Sequence, residues 1–325
     1  MKNKNMYIAL IALFLLIAAI SGGICIHQLS DAREAAESFR NLEDMIVMPT
    51  ESLASTQPME SISSTEPVET VDPEITEAKA TFEKYKTLYE QNEDLVGWIS
   101  IEGTAVNYPV MQSVDRPDFY LKHGFDRQYS RYGVPYLDEA CATGLSNNLV
   151  IYGHNMKNGT MFHDLLNYTS EEFRAEHPVI CFDTLSRKGE YRVVLVFRFD
   201  TDNETFCYNE YTDMNEEEFV EFMEQCRQRQ LYDTGISVSY GDELLTLSTC
   251  EYTYNNGRFV VVAKRIMDYL SAGICVSEEY RSEDCIGCSF LEEANRLYDR
   301  EKPETPFTTD NAAENDDLAG GSCCD

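Results

Sequence analysis

Hydrophobic and polar positions divide this chain into regions of different character. Met6 to Ile26 is a nearly unbroken apolar run, about as long as a helix needs to cross a bilayer. Lys2 and Lys4 precede it and acidic residues follow. The tendency of positive charge to stay inside then places the N-terminus in the cytoplasm and the rest of the chain outside. The rival is a cleaved signal peptide, for which Ala19-Ile20-Ser21 is a tolerable cleavage site. The apolar run continues through Gly22, Gly23, Ile24 and Ile26, which favours a retained anchor. Gly22-Gly23-Ile24 ahead of Cys25 makes a poor lipobox. Residues 27–48 have helical amphipathic character. From Pro49 to Pro73 the chain turns rich in Ser, Thr, Glu and Pro, too poor in apolar side chains to bury a core, and it reads as a stalk.

The globular pattern begins near Ile75. Phe82, Tyr85 and Leu88 make the apolar stripe of a helix over Ile75–Asn92. Short β-type runs follow at Val96–Ile101, Ala105–Met111, Tyr132–Asp138, Asn148–Tyr152, Pro178–Thr184, Tyr191–Asp200, Glu243–Thr249 and Arg258–Ile266, with turn residues between them. So many short strands in one domain predict a sandwich or a closed barrel. One helix interrupts them. Asn215 and Glu218 form a capping-box start, and Phe219, Phe222, Met223 and Cys226 share a face. After Met267 the pattern fades: Ser289 and Glu292 are spaced to cap a short helix through Tyr298, and Glu301–Asp325 is acidic and Gly/Ala-rich. The expected domains are therefore an anchor over 1–26, an extracellular stalk or linker over 27–75, a folded domain over 76–267, and a largely disordered acidic extension over 268–325.

A net charge of −31 adds an exclusion. A nucleic-acid partner needs a cationic face to meet its phosphates, so none is expected, and adsorption of the soluble part onto anionic lipid is equally disfavoured. Eleven cysteines show no dense disulfide framework. Cys181, Cys207 and Cys226 sit in apolar runs and read as small core residues. Cys285-x-x-Cys288 and Cys323-Cys324 have no accompanying His or second well-spaced pair, so a metal or redox role for them is not expected.

Candidate chemistry lies at strand ends. Alternation along Glu243–Cys250 puts Leu244, Thr246, Ser248 and Cys250 on one face and Leu245, Leu247 and Thr249 on the other. A polar turn, Glu251–Gly257, leads into the Arg258 strand. If the two strands pair as a hairpin, Arg258 begins near where Cys250 ends, and a cation there depresses a thiol pKa or steadies an oxyanion. His154 ends another strand after Gly153 and suits general acid–base work. Taken singly, a buried structural thiol, a strand-end charge and a surface histidine are the commoner meanings of such residues.

Together they carry a resemblance. Tyr152-Gly153-His154-Asn155 and Gly159-Thr160-Met161-Phe162 precede Leu245-Thr246-Leu247-Ser248-Thr249-Cys250 and then Arg258-Phe259-Val260-Val261-Val262-Ala263-Lys264-Arg265. With Val96-Gly97-Trp98-Ile99 and Asn107-Tyr108-Pro109-Val110 upstream, residues 80–267 resemble a sortase of class B, a cysteine transpeptidase of Gram-positive bacteria. The resemblance implies a mainly β fold: a closed eight-stranded barrel with an N-terminal helix and a helix before the cysteine strand. Cys250 matches the nucleophile, His154 the acid/base and Arg258 the oxyanion stabiliser, while Ser248, Glu251 and Asn107 match positions of the substrate groove. It implies secreted substrates bearing a sorting motif, a peptidoglycan or pilin amine as acceptor, attachment to the membrane through residues 6–26, and no cofactor. A hydrolytic cysteine peptidase, a pilin-polymerising enzyme and a non-catalytic surface module on a stalk stand as alternatives.

Overall fold

The structure is a computed structural model that describes residues 2–46, 73–203, 206–253 and 256–266. Eight strands close a barrel. They are β1 (Leu95–Ser100), β2 (Asn107–Met111), β3 (Tyr136–Leu137), β4 (Asn148–Tyr152), β5 (Val179–Thr184), β6 (Glu190–Asp200), β7 (Leu244–Glu251) and β8 (Gly257–Arg265). Around the barrel they run β1-β2-β3-β4-β7-β8-β6-β5. Closure leaves no free sheet edge. The barrel fits the fold class expected above.

Alternation decides what fills it. Leu245 and Leu247 of β7 join Phe259, Val261 and Ala263 of β8 in the interior cluster. Leu244, Val260 and Val262 face the other way and meet a helix, α4 (Glu216–Arg229). Its Phe219, Phe222, Met223 and Cys226 are buried, each large apolar side chain contributing roughly 1.5–3 kcal/mol of transfer free energy. α4 starts as its sequence predicts. The Asn215 side chain accepts from the backbone N–H of Glu217 and Glu218 at 2.9 and 3.1 Å, and Glu218 accepts in return from the Asn215 N–H.

Two earlier helices are α1 (Lys2–Asp44) and α2 (Pro73–Tyr89). The span 27–75 expected to be a stalk therefore begins as helix. α1 continues without a break from the apolar run to Asp44, and its Ala32, Ala35 and Phe39 pack on the barrel core. Leu42 is buried with Tyr85 and Leu88 of α2 and with Leu95 and Trp98 of β1. These apolar residues at helical spacing have a barrel to bury against. Residues 47–72 and the expected extension 268–325 lie outside the described residues.

The expected strand Tyr132–Asp138 pairs over only two residues. Gly133 adopts φ +58, the Val134 N–H is spent on the Tyr120 carbonyl, and Pro135 has no N–H to give. A short helix, α3 (Glu171–Glu176), was not expected. The Ser170 side chain caps it by accepting from the Phe173 N–H. Cys226 and Cys207 are buried in the core as expected and Cys181 is half-buried; Cys207 is disulfide-bonded and not a free thiol.

Candidate active site

β7 and β8 are antiparallel and adjacent, with Cys250 directly opposite Arg258. Directly opposed residues project to the same side of the sheet, which brings thiol and guanidinium together. The tight return is possible because position 257 is glycine: a Cβ there would stand 2.5 Å from the Glu251 carbonyl oxygen. Cys250 is half-buried and its sulfur has no hydrogen bond among the described residues. Among the described residues the Arg258 side chain makes one hydrogen bond, from Nη1 to the Gly257 carbonyl at 3.3 Å. The rest of its planar fork is available.

β4 runs parallel to β7 on the opposite flank, with Tyr152 level with Ser248. Past that pair, the Gly153 N–H donates to the Ser248 carbonyl at 3.1 Å and the Thr249 hydroxyl to the Gly153 carbonyl at 2.7 Å. His154 and Cys250 are thus the next residues at the same rim. Phe162 closes over this corner; a Cβ on Gly153 would meet its ring at 2.6 Å.

His154 is oriented by a backbone atom. Its Nε2 lies 2.7 Å from the Leu121 carbonyl oxygen, which only accepts, so Nε2 carries the proton and Nδ1 is left for chemistry. Burial lowers the imidazole pKa, Lys122 adds to the lowering, and the Leu121 bond opposes it. The ring is therefore predominantly neutral near pH 7.

The three groove candidates are placed differently. Ser248 lies on the Cys250 face but is 1% exposed, and its hydroxyl pairs with the Tyr208 hydroxyl at 2.7 Å. Glu251 is 8% exposed, and its carboxylate is taken up by the Thr253 N–H and hydroxyl, with Arg198 Nε at 3.7 Å. Asn107 begins β2, three strands from β7 in the barrel order, and accepts from Trp98 Nε1 at 2.7 Å. The structure gathers Cys250, His154 and Arg258 at one rim and leaves these three side chains occupied by structural partners. Sequence reading missed Leu121, because a carbonyl partner leaves no mark on residue identity. It also passed over His163, which reaches Asn155 beside the site. Among the described residues no cluster of His, Cys, Asp and Glu is arranged to hold a metal ion.

Thiol, imidazole and guanidinium thus stand at one rim of a closed barrel. Residues 99–266 match the Sortase domain family, and the chain belongs to the sortase family of cysteine transpeptidases. It is 33% identical over 187 residues to sortase B of Listeria monocytogenes, covering 57% of this chain and 74% of that protein. To sortase B of Staphylococcus aureus it is 31% identical over 186 residues, 56% of this chain and 75% of that one. Among solved structures, sortase B from Clostridium perfringens superposes with a TM-score of 0.52 at 31% identity, covering 56% of this chain and 99% of that one. Sortase B from Bacillus anthracis gives a TM-score of 0.56 at 28% identity, covering 73% of this chain and 99% of that one.

Proposed function

We propose that the protein is a membrane-anchored class B sortase that cleaves a C-terminal sorting motif of secreted proteins and joins the acyl part to an amine of the cell wall. The observation that carries this reading is the register: Cys250 opposite Arg258 on one side and level with the His154 segment on the other. In the proposed cycle the Cys250 thiol gives its proton to His154 Nδ1, and the thiolate attacks the peptide carbonyl carbon. Negative charge collects on the carbonyl oxygen, where the free N–H groups of Arg258 meet it. The C–N bond breaks as His154 returns the proton to the leaving amine, and a thioester remains on Cys250. An acceptor amine, from a peptidoglycan precursor or a pilin, then attacks the thioester, His154 takes its proton, and the thiolate leaves.

The reading extends to location. Among the described residues one helix is long and apolar enough to cross a membrane, and its outward side chains from Leu10 to Ile26 are exposed on the protein. We place residues 6–26 in the bilayer with the barrel outside. Intact-mass measurement tests the chemistry. Protein mixed with a sorting-motif peptide should gain the acyl fragment on Cys250, and Cys250→Ala should gain none while melting normally. An adduct on another cysteine would overturn the assignment.

A further inference from the structure

The residue after His154 touches the residue proposed as the nucleophile. Asn155 is 7% exposed, and its Nδ2 donates to the Cys250 carbonyl oxygen at 2.9 Å. Because a carbonyl only accepts, this bond settles the orientation of the amide and turns Oδ1 the other way. There Oδ1 meets His163 Nδ1 at 2.8 Å, which must therefore be the protonated nitrogen.

The intervening loop is folded so that this meeting occurs. Asn155 pairs with Met161 in an isolated antiparallel bridge, and the Phe162 N–H donates to the His154 carbonyl at 2.9 Å. The chain reverses through Gly159 at φ +82, a conformation that costs glycine little. His163 emerges from this closed loop directly over the Asn155 amide. One buried amide thus spans the segments that carry the imidazole and the thiol, and a second side chain holds that amide in place.

We infer that Asn155, held by His163, is a positioning residue: it sets where Cys250 stands relative to His154 without touching substrate. This rests on the reading of Cys250 as nucleophile. Peptide binding does not need the link, but attack and proton transfer depend on sub-ångström placement, and an error of about 1 Å costs on the order of a hundredfold in rate. The effect belongs in kcat and not in KM.

Four variants test it on the full chain. Asn155→Asp keeps the size but turns lone pairs toward the Cys250 carbonyl. His163→Leu removes the donor, whereas His163→Asn places a donor nitrogen where Nδ1 was. Steady-state kinetics with a sorting-motif peptide and an amine acceptor, alongside melting temperatures, supply the readout. Asn155→Asp should lower kcat about tenfold or more with KM within about twofold. His163→Leu should lower the same constant, His163→Asn should recover most of it, and the double variant Asn155→Asp/His163→Leu should be no worse than its weaker parent, because both changes break one link. Parental kcat in Asn155→Asp, multiplicative losses in the double variant, or His163→Asn as poor as His163→Leu would each overturn the inference. If Asn155→Asp does not fold, the His163 pair decides alone. Failure of the underlying reading shows separately: the parent protein would then form no acyl adduct on Cys250.

Discussion

Arg258 presents five N–H donors, and among the described residues one of them reaches a protein acceptor. A guanidinium kept so free at the thiol's side suits an oxyanion that exists only during turnover. Lysine keeps the charge but loses the fork. We expect Arg258→Lys to lose about 10²–10³ in kcat, the loss of one oxyanion donor, with a smaller change in KM and a parental melting temperature. Single-turnover acylation checks it, and a Lys variant acylating at the parental rate would return Arg258 to the role of a strand-end charge. His154 makes a second expectation. The unfolded chain titrates near about 6.5, and burial holds the folded ring below that. Between those two values the unfolded state binds more protons, so the contribution of this group is complete above about 6.5 and is lost as pH falls toward the folded pKa. NMR titration of the imidazole in Cys250→Ala protein should find a midpoint below 6.5. Alternation and the short turn made the meeting of Cys250 and Arg258 legible from residue types alone. The side chain of Ser248 was not legible in the same way, because its partner Tyr208 lies 40 residues away in sequence, and Glu251 turns back to Thr253 in its own turn, with the distant Arg198 only at 3.7 Å.

Strands and helices show where local pattern prevails and where it yields. β4, β7 and β8 fall within about two residues of their expected bounds, and α4 begins at its expected cap, because an apolar strand pattern or a capping box marks each one. β3 shrinks to Tyr136–Leu137 since the apolar run before it is diverted by Gly133. That glycine matters beyond the strand. A Cβ on it would stand 2.5 Å from the Leu121 carbonyl oxygen, the same atom that orients His154, and 2.6 Å from that of Tyr120. Gly133→Ala combines this clash with positive φ, and strain of this kind costs about 1–3 kcal/mol. The melting temperature should drop by at least 2–4 °C, roughly the equivalent of 1 kcal/mol in a domain of this size. Turnover should drop further than the unfolded fraction explains, as Leu121 moves off the imidazole. Unchanged melting would mean that the 120–121 turn gives way without cost. Asn215→Ala removes the α4 cap and should cost about 1 kcal/mol with no effect on kcat, a control in which stability and turnover part company.

For the molecule as a whole, the anchor proposal predicts that protease added to intact cells removes the barrel and that the mature protein still begins ahead of Gly22. A mature N-terminus at Gly22 would show cleavage instead. The helix that leads from the apolar run is the same helix that docks. Phe39 lies edge-to-face on Tyr108, with ring centroids 5.0 Å apart, and the Tyr108 hydroxyl accepts from the Met161 N–H in the loop that follows His154. From Ile26 to Phe39 a helix rises about 20 Å at 1.5 Å per residue. On the anchor reading this connection is a mast, and both the altitude and the bearing of the catalytic rim above the lipid are set by counting residues. Two residues inserted near Gln28 would swing the barrel about 200° around the mast, whereas seven would raise it about 10 Å and return it almost to its original bearing. A slack tether would be indifferent to that distinction. Display of substrate on living cells should therefore suffer more from the shorter insertion than from the longer one, while purified enzyme with a free peptide shows no difference between them.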